Sequence, residues 1–148
     1  MIKRFVYNLG LTSSTSKNKN IILKLPGKKY QGSSRIVYAI NDNWVIKVAK
    51  NEDGLIQNKK EVIVYATASS YERRFLCEIK LSAPDFTWII QRRVVRKLRK
   101  YNNMTEKIGS ILYNRCEYVF FNSGCLRDSA QIGFIKNKKT PKFYDYGY

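Results

Sequence analysis

The stretch that decides the reading of this chain is GSSRIVYAINDNWVIKVAKNEDGLIQNKKE, Gly32 to Glu61. It holds a turn of small residues at Gly32-Ser33-Ser34 and two β-branched runs, RIVYAI (35–40) and WVIKVA (44–49). The short Asn41-Asp42-Asn43 loop between those runs is a hairpin signal. Period-two alternation puts Trp44, Ile46 and Val48 on one face and Val45, Lys47 and Ala49 on the other. Lys47 is therefore a charge inside an otherwise apolar strand. Either it guards an edge strand against pairing with another chain, or it stands in a cleft to meet a phosphate or carboxylate.

LIQNKKEVIVYATAS (55–69) reads as a helix, because Leu55, Val62 and Ala66 fall at helical spacing, as do Ile56 and Ile63. Asp53 and Gly54 suit its start, although Val62 to Tyr65 would also suit a strand. Glu61 lies about two turns in, and its neighbours three and four residues away are Gln57, Asn58, Val64 and Tyr65, none of them basic. It is either solvated beside Lys60 or reaches across to Lys47.

Outward from this unit the signals are weaker. Residues 2–8 alternate and predict a first edge strand, 11–20 (LTSSTSKNKN) a polar loop, and 21–25 (IILKL) a short strand stopped by Pro26-Gly27. FLCEIKL (75–81) and FTWIIQRRVV (86–95) flank the turn-like Ser82-Ala83-Pro84-Asp85 and predict a second hairpin. RRVVRKLRK (92–100) carries six basic residues in nine: Arg92, Arg93, Arg96, Lys97, Arg99 and Lys100. TEKIGSILYNRCEYVFF (105–121) reads as a helix with Thr105 as its cap, followed by a short apolar run. GFIKNKKTPKFYDYGY (133–148) predicts a last hairpin with a basic loop that includes Lys136, Lys138 and Lys139.

A chain of 148 residues is one domain by size and long enough to bury about two-thirds of its unfolded surface. Its 28 Lys+Arg against 11 Asp+Glu leave a net charge of +17, which fits an anionic partner better than solubility alone. With no histidine, a Ser-His-Asp or Cys-His arrangement and imidazole-held zinc are excluded. Cys77, Cys116 and Cys125 are too few and too scattered for a metal cluster, and read as reduced thiols. The N-terminus has no signal-peptide pattern and no apolar run approaches a membrane span, so a soluble protein of the cytoplasm is expected, with no membrane partner.

Together these residues resemble the protein-kinase-like fold, and more narrowly small kinase-like proteins of bacteriophages. The string Gly32-Ser33-Ser34-Arg35-Ile36-Val37-Tyr38, then Val45-Ile46-Lys47-Val48-Ala49-Lys50-Asn51, Gly54, Gln57-Asn58 and Glu61 follows that group in order and spacing. Gln131-Ile132-Gly133, Pro141 and Asp145-Tyr146-Gly147 follow it near the end. The resemblance implies an α+β fold: a kinase-like N-lobe of antiparallel sheet plus one helix over residues 1–94, and a minimal C-terminal lobe over 95–148. It implies a nucleotide site at Gly32, Lys47, Glu61 and Asp145, where Lys47 holds phosphates, Glu61 orients Lys47, and Asp145 is the metal ligand. ATP and Mg²⁺ are the cofactors it brings into question.

The departures from that pattern point away from catalysis. Tyr30 and Arg35 stand at two glycine positions of the phosphate-binding turn, and Gln131 stands where the group has a metal-binding asparagine. The catalytic aspartate position is then Leu126, while Asp128 as base has too short a spacing. The chain also stops one residue after Asp145-Tyr146-Gly147, which leaves no activation segment.

Three functions are thus expected in competition. The first is a catalytically degenerate kinase-like viral protein that binds an acidic host protein or protein–nucleic acid complex in the host cytoplasm. The second is a DNA- or RNA-binding protein using the two basic clusters with Tyr101, Phe143, Tyr144 and Tyr146 as stacking aromatics. For its basic cluster the plain alternative is a solvated helix face. The third is a residual ATP-binding kinase.

Overall fold

A computed structural model describes residues 1–98, 103–112 and 132–146, with the side chains of 104–106 excepted. Arg99, Lys100, Tyr101, Cys116, Cys125, Leu126, Asp128, Gln131 and Gly147 lie outside the described residues.

The chain opens with two helices where strands and a loop were expected. In α1 (Ile2–Leu9), Ile2, Phe5, Val6 and Leu9 follow the i, i+3, i+4, i+7 rule and all four pack on the sheet. The weak alternation of this segment gave way to that stripe. Gly10, at φ 65, ends the helix in the left-handed region that glycine tolerates. The Ser/Thr-rich run is a capping sequence rather than a loop. Ser14 caps α2 (Thr15–Lys24), and buried Asn18 clasps Thr12 by accepting from its N–H and donating to its carbonyl, both at 2.7 Å. Most of IILKL is the end of this helix, with Ile22 fully buried, and the backbone turns extended at Leu25 before Pro26.

Then come β1 (Lys29–Gln31), β2 (Arg35–Ala39), β3 (Trp44–Ala49), α3 (Glu52–Thr67), the single turn α4 (Ser70–Arg73), β4 (Ile79–Ser82) and β5 (Trp88–Arg92). Both expected hairpins and the helix between them form. The five strands make one antiparallel sheet in the order β1-β2-β3-β5-β4. Beyond it, β6 (Val94–Lys97), α5 (Asn103–Leu112), β7 (Ile132–Ile135) and β8 (Lys142–Phe143) follow, and β6-β7-β8 form a second sheet. Helix α5 begins at Asn103, so Thr105 lies within it rather than at its cap. The fold is α+β, and no helix among the described residues is long and apolar enough to cross a membrane.

The five-stranded sheet has two unlike faces. Ile36, Tyr38, Ile46, Val48 and Ile90 meet α1 and α2 in an apolar core, where each fully buried isoleucine stabilises the fold by roughly 1.5–3 kcal/mol. The opposite face meets α3, whose buried stripe is Gly54, Asn58 and Glu61. Of the apolar residues whose spacing predicted α3, Ile56 and Ile63 do not turn inward and are about half exposed. Gly54 permits the close approach, because a side chain there would strike the Ser34 carbonyl oxygen and stand 3.0 Å from Ala49.

A second apolar core joins the C-terminal elements to the rest. Ala68, Phe75 and Leu76 pack with Ile108, Leu112, Ile132, Phe143 and Tyr146. Strand β8 is stitched to residues 75–77 by Cys77 N–H to Phe143 O (2.9 Å) and Phe143 N–H to Phe75 O (2.7 Å), and the Tyr146 hydroxyl donates to Cys77 O at 2.7 Å. These bonds fix the backbone on both sides of Asp145.

Candidate functional site

Strand alternation places Arg35 and Val37 of β2, and Val45, Lys47 and Ala49 of β3, on the face that α3 covers. Lys47 pairs across the strands with Val37 on one side and Ile89 on the other, so it sits in a central strand rather than at an edge. The edge-guard reading of Lys47 therefore does not apply.

Glu61 is fully buried between two cations. Lys47 Nζ donates to its two carboxylate oxygens at 3.0 and 2.9 Å, and Arg35 Nη1 donates to Oε1 at 2.8 Å. Gln91 Nε2 adds a longer contact at 3.3 Å. The solvated reading of Glu61 gives way to this buried pair of ion pairs. From the C-terminal segment, Asp145 Oδ1 accepts from Arg35 Nη2 at 2.7 Å and the Tyr144 carbonyl accepts from Lys47 Nζ at 2.6 Å. Asn58 completes the network by accepting from Arg35 at 3.2 Å and donating at 2.9 Å to the carbonyl of Phe86, a turn residue held at φ 60.

Two cations and two carboxylates balance here, which is what makes their burial tolerable. Burial alone raises the Glu61 carboxyl, but the charges and hydrogen bonds of Arg35 and Lys47 outweigh it and hold the group below its ordinary value. Asp145 goes the other way. Burial pushes its pKa up, and the attraction of Lys47 and Arg35 does not recover it, with Glu61 repelling it as well.

Next to the network lies a cavity of about 190 Å³ between the two sheets. Val37, Val45 and Val94 give it apolar walls, Tyr30 and Tyr144 aromatic ones. Its charged lining is mostly cationic, with Arg35, Lys47, Arg92, Arg93 and Lys97 against Asp145.

The structure thus brings Lys47, Glu61 and Asp145 together. Gly32 is in the β1–β2 turn, where its N–H donates to Arg35 O at 2.9 Å and its carbonyl accepts from Lys50 Nζ at 2.8 Å. Arg35 and Asn58 stand in the kinase-like string without a binding role there, Arg35 at a glycine position of the turn, and Gln91 carried no signal in the sequence. The available signal was alternation: Arg35 shares its face with Val37, directly opposite Lys47.

A divalent ion does not fit this arrangement. The Asp145 carboxylate that would receive it is already ion-paired to Arg35, and the Lys47 ammonium lies close by. Among the described residues no group of three His, Cys, Asp or Glu side chains could hold a metal.

Among the described residues, the first basic cluster is not a helix face. Its described part runs through β5 and β6, and β6 pairs with β7, so Val94 opposes Ile135 and Lys97 opposes Gly133. Gly133 allows this contact, since a side chain there would collide with Val94 and the Arg96 carbonyl. The pairing sets Arg96 and Lys97 on the same small sheet as the loop of Lys136, Lys138 and Lys139. Arg93 Nη1 donates to Asn41 O at 2.9 Å, and Lys136 to Asp42 at 2.6 Å, so the β2–β3 loop ties the two sheets together.

Of the expected stacking aromatics, Phe143 and Tyr146 are not available, and Tyr101 lies outside the described residues. Phe143 and Tyr146 are core residues, each 1% exposed, because the second core needs their rings. Other rings near the cluster are covered by its own cations: Trp44 by Arg92 at 4.6 Å, Phe134 by Arg96 at 4.1 Å and Tyr144 by Lys97 at 5.9 Å. Compared with known proteins, the chain matches no family model, no curated protein and no solved structure.

Proposed function

We propose that this chain is a catalytically silent, kinase-like viral protein that docks an acidic host protein or complex through the basic face of its second sheet. The kinase-like part of the reading is supported by the sheet order β1-β2-β3-β5-β4 and by the meeting of a strand lysine, a helix glutamate and the aspartate of Asp145-Tyr146. Silence follows from the Arg35–Asp145 ion pair, since phosphoryl transfer relies on metal held against the phosphates.

The observation that carries the docking function is the β6–β7 pairing. It gathers Arg96, Lys97, Lys136, Lys138 and Lys139 into one field, which speeds and orients the capture of an acidic surface. Cation-covered rings favour carboxylate contacts over base stacking.

The test is capture from bacterial lysate by the wild type and by a variant carrying Arg96→Glu, Lys97→Glu, Lys138→Glu and Lys139→Glu. The wild type retains a stoichiometric protein after nuclease treatment, and the variant loses it. Release of the partner by nuclease, or equal recovery by both proteins, would overturn the reading.

A further inference from the structure

The start of a helix favours acidic residues, because a carboxylate in the first turn is attracted by the positive end of the helix dipole. Here α3 opens with Glu52 and Asp53, and α4 carries Glu72 in its single turn. The first two helices do the reverse. Neither has an acid in its first turn, and cations stand there instead: Lys3 and Arg4 in α1, Lys17 in α2. No acidic residue precedes Asp42 in the chain, so nothing in the local sequence offsets them. An anion laid over these helices relieves that repulsion.

Burial fixes where the cations point. Helix α1 turns Ile2, Phe5, Val6 and Leu9 to the sheet and Lys3, Arg4, Tyr7 and Asn8 to solvent. Helix α2 buries Asn18 and Ile22 and exposes Lys17, Asn20 and Lys24. Both pack on the same face of the five-stranded sheet, so their outer faces make a basic layer on the side away from α3 and the cleft. A basic amphipathic helix also suits a membrane surface, but it binds there by inserting its apolar stripe. The stripe of α1 is already occupied: Phe5 stacks on Tyr38 with ring centroids 6.2 Å apart, and the other three join the same core.

Tyr7 decides the kind of anion. It follows Lys3 and Arg4 by one turn on the outer face and is 85% exposed. Its ring is bare, unlike Phe134 and Tyr144, which Arg96 and Lys97 cover on the second sheet. A bare ring beside cations stacks an unpaired base while the cations meet the phosphates. A duplex keeps its bases stacked on one another. We infer that the outer face of α1 and α2 binds single-stranded nucleic acid, with Tyr7 as the stacking platform and Lys3, Arg4, Lys17 and Lys24 on the phosphodiester backbone. None of these residues lines the cleft or belongs to the docking face, so this binding goes beyond protein docking and either can fail without the other.

The experiment follows labelled oligothymidylate and oligouridylate of about 15 nucleotides by anisotropy with the full chain, beside a duplex of the same length. Four phosphate contacts on a single strand predict that affinity falls about 50-fold between 50 and 200 mM salt. Lys3→Glu, Arg4→Glu and Lys17→Glu together weaken single-strand binding at least about tenfold. Each of them puts an acid in the first turn of a helix, so the melting temperature does not fall. Arg96→Glu, Lys138→Glu and Lys139→Glu, the same change in net charge, weaken it less than about threefold. Tyr7→Ala weakens single-strand binding at least about fivefold and leaves duplex binding unchanged, and Tyr7→Phe keeps both. Either oligonucleotide bound with these dependences supports the inference, and the tighter one names the source. Equal losses from the two triple variants, a Tyr7→Ala protein that binds single strands like the wild type, or no binding at about 100 µM protein in 50 mM salt overturns it.

Discussion

Arg35 and Asp145 stand 110 positions apart in the chain, yet their side chains meet at 2.7 Å and close one side of a buried charge network. The contact joins β2 to the segment after β8 and leaves Asp145 about one-quarter exposed, while Glu61 on the other side of Arg35 has no exposure at all. That asymmetry sets the order in which the network's members matter.

Glu61→Gln should cost about 3–5 kcal/mol, because it strips the carboxylate from two buried cations at once. Asp145→Asn keeps an oxygen to accept from Arg35 and removes a carboxylate whose burial its partners do not recover, so it should change stability by less than about 1 kcal/mol. Urea unfolding of the two variants gives both figures. Equal losses would mean that the Arg35–Asp145 side is as dry as the Glu61 side.

Acid stability should divide between the same two groups. Glu61 has its pKa held below 4.5, so its contribution is complete above the unfolded value and is lost as pH falls through the folded one. Asp145 has its pKa raised above 3.8, so the native state takes that proton first and the site favours folding more as pH falls towards 3.8. The urea midpoint should therefore hold on acidification until about pH 4.5 and drop below it, and Glu61→Gln should flatten the drop. A midpoint that declines steadily from neutrality would contradict this assignment.

Gly54→Ala tests the close approach of α3 to the sheet. In an open helix the change gains about 1 kcal/mol. Here the added methyl meets the Ser34 carbonyl oxygen and Ala49, so the expected result is a loss of roughly 1–3 kcal/mol. A rise in melting temperature would show that the helix can shift outward without disturbing Asn58 and Glu61.

Cys77 should be chemically silent in the folded protein. Burial pushes its thiol up to about 12, and the side chain has no exposure. In a Cys116→Ser, Cys125→Ser variant, thiol labelling at neutral pH should proceed only at the rate of global unfolding. Fast labelling would mean that the core around Phe75 and Leu76 opens locally.

What the sequence by itself determined was the hairpin of β2 and β3, the helix after it, and the two faces of β3. Turn chemistry and period-two alternation act between near neighbours, so Asn41-Asp42-Asn43 and WVIKVA carry them openly. The spacing of Lys47 and Glu61 also made their meeting legible. The N-terminal helices were not, because ILE-rich and Ser/Thr-rich runs suit several local structures until they cap and pack: Ser14 becomes an N-cap, and Ile22 finds the sheet. Only the tertiary structure decided the partner of Arg35, the polar buried face of α3 and the burial of Phe143 and Tyr146. Each depends on contacts between distant segments, where pairing in a low-dielectric interior outweighs local pattern.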